Sequence, residues 1–237
     1  MFEVKGPTVK GEIKKARASN YTWLRSICEF IDNSIDVLLK CKQGKLIVKL
    51  EFKYDTNNEL ISIHISDNYK NGITDPNIWN WTYDRDRLSH DCGEYGTGFK
   101  SGSVNIASYL RLITNDGQSF TKVNADWNDM SDQNTWTPEF NKITEEQYKQ
   151  NHPFEYGSTF ILKQLIKTSI PTDIKHMEKE LIKHIMMTYK KCFHRHNNLT
   201  IILNDTDLNY SNVIDEISTK KIHPRESIPE STIIIYK

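Results

Sequence analysis

The sequence predicts an α+β fold in which helices cover one face of a mixed, mostly antiparallel sheet. Two segments, KLIVKLEF and LISIHIS, alternate apolar and polar residues as half-buried strands do. The turn-forming residues YDTNNE between them indicate an antiparallel hairpin. A long amphipathic helix precedes this hairpin, beginning near Ser19 or Asn20 and ending near Lys40. Together with later strand patterns at SYLRLIT, SFTKVNADW and STFILKQL, these elements favour a two-layer α/β sandwich.

The chain divides into three predicted parts. Residues 1–18 are basic, and we predict an extended N-terminal arm there. Residues 19–168 form the main domain, in which residues 67–98 are rich in loop-forming residues and Phe99–Ala107 predict a short helix. A helical segment, IKHMEKELIKHIMMTYKKCF, and two strand patterns, LTIILND and STIIIYK, follow the domain. Residues 169–237 are therefore predicted to be a partial, separate α/β region.

The bulk composition restricts the partners and the compartment. Lys plus Arg and Asp plus Glu both number 31, so the net charge of zero does not indicate a nucleic acid partner, although a local basic patch is compatible with it. The four cysteines are widely spaced, which argues against a disulfide framework or a cysteine zinc site. No apolar run approaches the length of a membrane span, and the N-terminus lacks the apolar core of a secretion signal. We expect a soluble, intracellular protein of the cytoplasm or nucleus, without a membrane partner.

The first predicted helix carries an acidic stripe. Its apolar residues lie on one side of a helical wheel, and Glu29, Asp32, Asn33 and Asp36 lie on the other, within an arc of about 100°. A solvated surface is one interpretation. However, the stripe contains no Lys or Arg, and like charges at this spacing repel unless something compensates. Mg²⁺ prefers oxygen ligands and bridges to substrate phosphates, and a carboxylate beside it would serve as general base on a water.

A glycine-rich segment, GEYGTGFKS, precedes the short helix. Gly96 and Gly98 permit backbone conformations and close approaches that other residues do not. Because the predicted helix begins at Phe99, its free backbone N–H groups would face an anion held in the loop. Lys100 would add a positive charge for phosphate. An ordinary turn has the same pattern, and the spacing matches neither a P-loop nor a Rossmann fingerprint.

Residues at the ends of two predicted strands complete the set of candidate site residues. Asp67 closes the strand LISIHIS, where an Asp followed by Gly usually marks only a turn. The functional alternative is a buried carboxylate that accepts a hydrogen bond from a ligand amine, such as the amino group of adenine. Gly157-Ser158-Thr159 opens a later strand with two hydroxyl groups and by itself indicates no function.

Taken in order, the four segments resemble the motifs of the GHKL ATPase superfamily, which includes gyrase B, MutL, the heat-shock chaperone ATPases and the MORC proteins. The resemblance covers about residues 20–166 and implies the Bergerat fold. The segment EFIDNSID is similar to the first motif of that superfamily. There Glu29 would be the general base and Asn33 would hold Mg²⁺, with Asp36 as a further nucleotide-site residue.

The same resemblance assigns the remaining site residues. Asp67 would recognise adenine, with Gly72 and Ile73 in the loop beside it. Thr159 would join the water network on the adenine side. The third motif would bind phosphate at the edge of a mobile lid, through Gly96, Thr97, Gly98, Phe99, Lys100 and Ser101.

Within the superfamily, GEYGTGFKSGSV is most similar to the MORC lid, and the pattern after Pro171 is similar to the start of the transducer domain. The resemblance implies an ATP-gated conformational switch with slow hydrolysis. ATP and Mg²⁺ would order the lid and drive homodimerisation, and the arm of residues 1–18 would cross to the partner. The lysine that reaches the γ-phosphate from the transducer in relatives is not identifiable in this chain.

One departure leaves alternatives open. The second motif of the family is DxGxG, whereas this chain has DNYKNG from Asp67 to Gly72, which lacks the first Gly and has one residue inserted. A nucleotide-binding pseudo-ATPase that acts as an interaction module is therefore a second hypothesis. A histidine-kinase-type phosphotransferase is a third, but kinases of this superfamily usually lack a Glu at the position of Glu29.

Overall fold

A computed structural model of the protein describes residues 8–19, 21–40, 44–73, 76–79, 98–171 and 173–209. Helices and strands alternate along these residues. In chain order they are α1 (Val9–Ala18), α2 (Trp23–Lys40), β1 (Leu46–Tyr54), β2 (Leu60–Asp67), a short 3-10 helix (Pro76–Trp79), α3 (Gly98–Ile106), β3 (Ala107–Asn115), β4 (Phe120–Asp126), α4 (Trp127–Gln133), β5 (Glu139–Lys142), α5 (Glu145–Lys149), β6 (Gly157–Leu165), α6 (Ile174–Thr188), α7 (Lys190–Arg195), β7 (Leu199–Leu203) and β8 (Thr206–Leu208).

The described strands form one eight-stranded sheet in the order β5-β4-β3-β6-β2-β1-β7-β8. Every neighbouring pair is antiparallel except β1 and β7, which are parallel. The predicted α+β fold with a mixed, mostly antiparallel sheet is therefore confirmed. The predicted division at residue 168 remains a prediction, and the first strand after it, β7, pairs with β1 in the same sheet.

Helices α2 and α3 pack on one face of this sheet. Ile27, Ile31 and Ile35 recur at helical spacing on α2 and are fully buried. They belong to the same core as an apolar row that crosses the sheet in register, made of Leu50, Ile65, Phe160, Leu112 and Val123. Each buried side chain of this size stabilises the fold by about 1.5–3 kcal/mol. This packing holds α2 over the middle of the sheet.

The N-terminal segment differs from the prediction. Residues 9–18 form helix α1, whereas the sequence analysis predicted an extended arm over residues 1–18. Thr8 caps the helix by accepting from the Gly11 backbone N–H, and Val9 and Ile13 are buried one turn apart. The apolar residues of this helix are few and stand among lysines, so the sequence shows mainly its basic composition. Residues 1–7 lie outside the described residues.

Other boundaries differ for local reasons. The predicted strand SFTKVNADW ends at Asp126, because the side chain of that residue caps α4 and turns the chain into a helix. The long helix predicted after residue 171 is divided at Tyr189 into α6 and α7. The predicted strand STIIIYK lies outside the described residues. Among the described helices, none combines the length and the apolar character that crossing a membrane requires.

Candidate functional site

The candidate base lies on the exposed edge of α2. The Glu29 side chain is 16% exposed, and its Oε1 accepts a hydrogen bond of 2.6 Å from the Tyr21 hydroxyl. The Arg25 guanidinium, one helical turn earlier, lies 3.7 Å from the same oxygen. Arg25 is largely exposed, so this ion pair adds little stability. The carboxylate is thus held mainly by the tyrosine.

The Asn33 side chain is held against the backbone of α2. Its side-chain Nδ2 donates to the Glu29 backbone carbonyl at 2.5 Å, one turn earlier on the helix. Because only the amide nitrogen can donate to a carbonyl, Oδ1 must point away from the helix backbone. This oxygen is a suitable ligand for Mg²⁺, which takes one or two protein oxygens together with phosphate oxygens and water. Asp36, one turn further, is buried.

Asp67 ends β2 as a buried carboxylate. Its Oδ1 accepts from the Tyr69 backbone N–H at 3.0 Å, and the Ser34 hydroxyl lies 3.4 Å from Oδ2. Burial raises the pKa of this carboxyl to about 7, although these donors and the Ser158 backbone N–H lower it. Ser34 follows Asn33 on α2, so this contact places Asp67 against the turn of α2 that carries the metal-ligand candidate. A further hydrogen bond from a ligand amine would compensate for part of this desolvation.

The loop after Asp67 approaches β3 closely. Gly72 has a φ of +59°, and a Cβ there would overlap the Asn115 carbonyl and come within 2.6 Å of Thr114 Oγ1. Only glycine fits both this conformation and this space. The next residue, Ile73, donates its backbone N–H to Thr114 Oγ1 at 2.8 Å. The inserted residue in the second motif therefore leaves a loop that is anchored at Gly72 and Ile73.

The hydroxyl beside Asp67 belongs to Ser158, whereas Thr159, the residue expected in the adenine-side water network, contacts Ser66. Asp67 and Ser158 are register partners on β2 and β6, and the Ser158 hydroxyl lies 2.9 Å from Thr114 Oγ1. Successive side chains of a strand point to opposite faces. Thr159 therefore lies on the other face, where its hydroxyl is 2.8 Å from that of Ser66. The structure thus separates Thr159 from the face that α2 covers.

A buried histidine supports the strand ends from that opposite face. His152 Nδ1 lies 2.8 Å from Thr159 Oγ1, and its Nε2 lies 2.8 Å from the Tyr156 carbonyl. The Tyr148 ring packs against the imidazole with ring centroids 4.7 Å apart. Burial lowers the pKa of His152 to about 4, so the imidazole is neutral at pH 7. Ser66, Thr159 and His152 form a continuous polar chain behind Asp67.

Helix α3 begins against the candidate base. A Cβ at Gly98 would overlap Glu29 Oε2, so the absence of a side chain there allows the close approach. The Phe99 side chain is not available to a ligand, because it packs in an aromatic cluster with Trp79, Phe160 and Phe30. Its backbone N–H in the first turn of α3 is the group that an anion would contact. Gly96 and Thr97 lie outside the described residues.

Lys100 and Ser101 occupy different positions on α3. Ser101 is half-buried, whereas the Lys100 side chain is fully buried and its ammonium donates to the Ile78 carbonyl at 2.5 Å. Burial lowers the pKa of Lys100 to about 8. The predicted phosphate contact of Lys100 therefore requires its ammonium to leave the Ile78 carbonyl.

The acidic stripe is not a solvated surface along its whole length. Tyr189, between α6 and α7, donates its hydroxyl to Asp32 Oδ1 at 2.7 Å. Burial raises the pKa of Asp32 to about 6, while this hydrogen bond lowers it. Asp36 is only 2% exposed. Asp32 thus connects the stripe to the C-terminal helices, whereas Glu29 approaches the start of α3.

A cavity of about 290 Å³ adjoins the site. It is lined by Ile73, Thr114 and residues of β3, β4 and the 3-10 helix. Glu29, Asn33 and Asp67 are not among its lining residues, although the cavity has a volume near the lower end of the range for small-molecule pockets. We therefore locate the candidate site by the hydrogen-bonding groups and the close approach at Gly98 rather than by this cavity.

Several residues of the site were not predicted. Ser34 and Ser158 are adjacent to predicted residues, so the signal for them was the alternation of faces on a helix or strand. Tyr21 and His152 lie outside the four segments, and no spacing pattern in the sequence pairs them with Glu29 or Thr159. Their contacts depend on tertiary packing.

Known proteins add one finding to this geometry. A family model described as "Histidine kinase-, DNA gyrase B-, and HSP90-like ATPase" matches residues 21–159, more than half of the chain. The matched range contains α2, the end of β2, the start of α3 and the start of β6. No curated protein matches the chain.

Proposed function

Because the chain belongs to the histidine kinase-, DNA gyrase B- and HSP90-like ATPase family, we propose that it binds ATP with Mg²⁺ and hydrolyses the nucleotide slowly as a conformational switch. The observation that carries this proposal is that residues from all four motif-like segments lie next to one another in the structure. Gly98 adjoins Glu29, Ser34 adjoins Asp67, and Asp67 is the register partner of Ser158.

The adenine end of the proposed site lies at Asp67. Its carboxylate would accept from the adenine amino group, and the Ser158 hydroxyl beside it would hold water or a ring nitrogen. Guanine has no amino group at that position. A buried acceptor left without its donor costs about 1–3 kcal/mol, so the site should prefer ATP to GTP by about 5- to 150-fold. Gly72 and Ile73 would contact the base from the loop.

The phosphate end lies between α2 and the start of α3. The backbone N–H groups that open α3 at Gly98, Phe99 and Lys100 would bind phosphate oxygens, with Ser101 in the same turn. Asn33 Oδ1 would be the protein ligand of Mg²⁺, which would neutralise the phosphate charge. Asp36 would act from the next turn of α2. Gly96 and Thr97 would extend the phosphate contacts into the lid.

Hydrolysis would depend on Glu29. Its Oε2 faces the first residue of α3, where the terminal phosphate would lie. A water between this carboxylate and the phosphate would lose its proton to Glu29 as it attacks. General bases contribute on the order of 10²–10⁴ to such rates. This role distinguishes the ATPase from a kinase-type transfer, in which a protein side chain accepts the phosphoryl group.

The conformational switch is the second part of the proposal. ATP would favour a closed, homodimeric state in the manner of MORC-like proteins, because a ligand shifts a conformational equilibrium only through higher affinity for one state. The hydrogen bond between Asp32 and Tyr189 connects α2 to α6 and α7. A movement of α2 on ATP binding would be transmitted through it to the C-terminal segment. A pseudo-ATPase that binds without turnover is the second candidate, since the second motif departs from the DxGxG pattern.

Phosphate release and light scattering test the proposal together. Each would be measured for the wild type and for Glu29→Ala, with and without Mg²⁺ and ATP. We expect Glu29→Ala to bind ATP, to lose turnover and to dimerise more readily than the wild type. Equal turnover in both proteins would remove Glu29 from the catalytic role. No turnover in either, with binding retained, would favour the pseudo-ATPase, and a monomeric mutant at saturating ATP would exclude the dimeric switch.

Binding itself is tested by thermal unfolding. A ligand that binds only the folded state at 100 times its Kd stabilises the protein by about 2.7 kcal/mol. Asn33→Ala should lose most of the gain that depends on Mg²⁺, whereas Asn33→Asp retains an oxygen ligand and is the matched control. A wild-type protein with no thermal shift at millimolar Mg²⁺ and ATP would contradict the central proposal.

A further inference from the structure

The hydrogen bond between Tyr21 and Glu29 joins a residue of no assigned role to the proposed base. Tyr21 lies just before α2, and its hydroxyl donates to Glu29 Oε1 at 2.6 Å, two helical turns along. Burial and the hydrogen bond to Glu29 raise the pKa of Tyr21 to about 12. The hydroxyl is therefore protonated and remains a donor at neutral pH.

Two contacts hold the tyrosine in place. Asn105, buried on α3, donates its side-chain amide to the Tyr21 carbonyl at 3.0 Å and to Ser26 Oγ at 3.0 Å. The Arg25 guanidinium lies over the Tyr21 ring, 4.6 Å from its centroid. The hydroxyl is thus placed by α3 through the main chain and by α2 through the ring. It is a fixed donor rather than a mobile surface group.

The two oxygens of Glu29 consequently face different partners. Oε1 is occupied by Tyr21, with Arg25 at 3.7 Å. Oε2 is left to face Gly98, the first residue of α3. A free glutamate side chain would sample several rotamers, and only some of them direct an oxygen to the start of α3.

We propose that Tyr21 is a positioning residue that orients the Glu29 carboxylate so that Oε2 receives the proton of the attacking water. This inference rests on the proposed ATPase function. Tyr21 itself contacts neither nucleotide nor phosphate in this arrangement. It acts on the rate of the chemical step, because a displacement of about 1 Å at a reacting group can cost on the order of 100-fold in rate.

Tyr21→Phe tests this role, since it removes the hydroxyl and keeps the ring that packs under Arg25. We expect kcat for ATP hydrolysis to fall about tenfold, while KM and the Kd for ATP change less than about twofold, because the hydroxyl orients the base and does not bind the nucleotide. The control is Tyr54→Phe. Its hydroxyl also lies on a glutamate, Glu178 Oε1 at 3.5 Å, away from the site. This variant should keep the wild-type kcat.

The outcomes separate the inference from the proposed function. A wild-type kcat in Tyr21→Phe would overturn the positioning role and leave the ATPase intact. A parallel loss of ATP affinity and thermal stability in Tyr21→Phe would also overturn it, because the tyrosine would then be a structural contact. If the wild type hydrolyses no ATP, both fail. A selective loss of kcat in Tyr21→Phe, with Tyr54→Phe unchanged, is the supporting result.

Discussion

Asp67 and Ser158 are register partners on β2 and β6, and both side chains are buried at the end of the sheet that α2 covers. Thr159, the next residue, faces the opposite side and contacts Ser66 and His152. Adjacent hydroxyl residues in one strand thus have different surroundings. They are expected to have different roles.

Substitution of these two hydroxyls should separate nucleotide binding from stability. Ser158→Ala removes a hydrogen-bonding group beside Asp67 and should weaken ATP binding about tenfold, or about 1.4 kcal/mol. Because Thr114 Oγ1 keeps the Ile73 backbone N–H as a partner, the free energy of unfolding should fall by no more than about 1 kcal/mol.

Thr159→Val removes the hydroxyl that the Ser66 hydroxyl and His152 Nδ1 contact. It should lower the free energy of unfolding by about 1–3 kcal/mol. Calorimetric titration and urea unfolding of both variants would measure the two effects, and the reverse pattern would assign the adenine-side role to Thr159 rather than to Ser158.

Asp67 should make the protein less stable as the pH rises. Its pKa of about 7 in the folded state lies above the ordinary value of 3.8. Between these values the folded state keeps a proton that the unfolded state has lost. The free energy of unfolding should therefore fall from about pH 4 through pH 7, by at most about 1.4 kcal/mol per pH unit.

Asp67→Asn isolates the contribution of the Asp67 carboxyl to the pH dependence of stability, since it removes the titrating group and keeps the shape of the side chain. The stability of the variant relative to the wild type should increase between pH 5 and pH 8, as measured by urea unfolding, while ATP affinity and the preference over GTP are lost. A stability difference that is flat across this range would show that burial does not disfavour the charged carboxylate.

His152 should have the opposite pH dependence. Its pKa in the folded state is about 4, below the ordinary 6.5, because burial disfavours the imidazolium. As the pH falls, the unfolded chain binds the proton first, so the free energy of unfolding decreases between pH 6.5 and pH 4. His152→Gln should reduce this acid sensitivity even if it lowers stability at pH 7. Equal slopes in the variant and the wild type over that range would contradict the prediction.

Gly98 should be required for turnover rather than for folding. A Cβ in Gly98→Ala would meet Glu29 Oε2, the end of a flexible side chain that can move aside. We therefore expect a normal melting temperature and a kcat reduced by at least about tenfold, because the base is displaced. At Gly102 the Cβ would lie 2.7 Å from the Ser26 backbone carbonyl, so Gly102→Ala should mainly destabilise the contact between α2 and α3.

Gly44→Ala provides the neutral comparison for both glycine variants, since nothing lies within 4 Å of its Cβ position. All three would be compared by thermal unfolding and phosphate release. A wild-type kcat in Gly98→Ala would mean that the approach of Gly98 to Glu29 has no part in catalysis.

The periodicity of apolar residues was sufficient to predict the first hairpin and the long helix before it. The alternation in β1 and β2 predicted the hairpin, and the spacing of Ile27, Ile31 and Ile35 predicted α2 with its stripe. Helix α1 was not predicted, because its apolar face consists of only three buried residues in a segment rich in lysine. The parallel pairing of β7 with β1 was not predictable, because it joins residues from opposite ends of the chain.

The candidate site shows the same limit. Glu29, Asn33 and Asp67 could be named because each stands at a recognisable position in an element. The difference between Ser158 and Thr159 depends on which face of β6 meets α2, and that is set by register with β2 rather than by the segment itself. Tyr21 and His152 act through contacts that no spacing rule predicts.

The parallel pairing of β1 with β7 also has a consequence for how the molecule assembles on the ribosome. Leu46 must wait for Leu199 to emerge, which at 5–20 residues per second takes on the order of ten seconds. During that interval β1 has only β2 as a neighbour, and its other edge presents unpaired backbone groups that can recruit a strand from another chain. A nascent chain that ends at residue 168 would keep this edge open permanently, so it should be aggregation-prone even though it contains every residue of the candidate site.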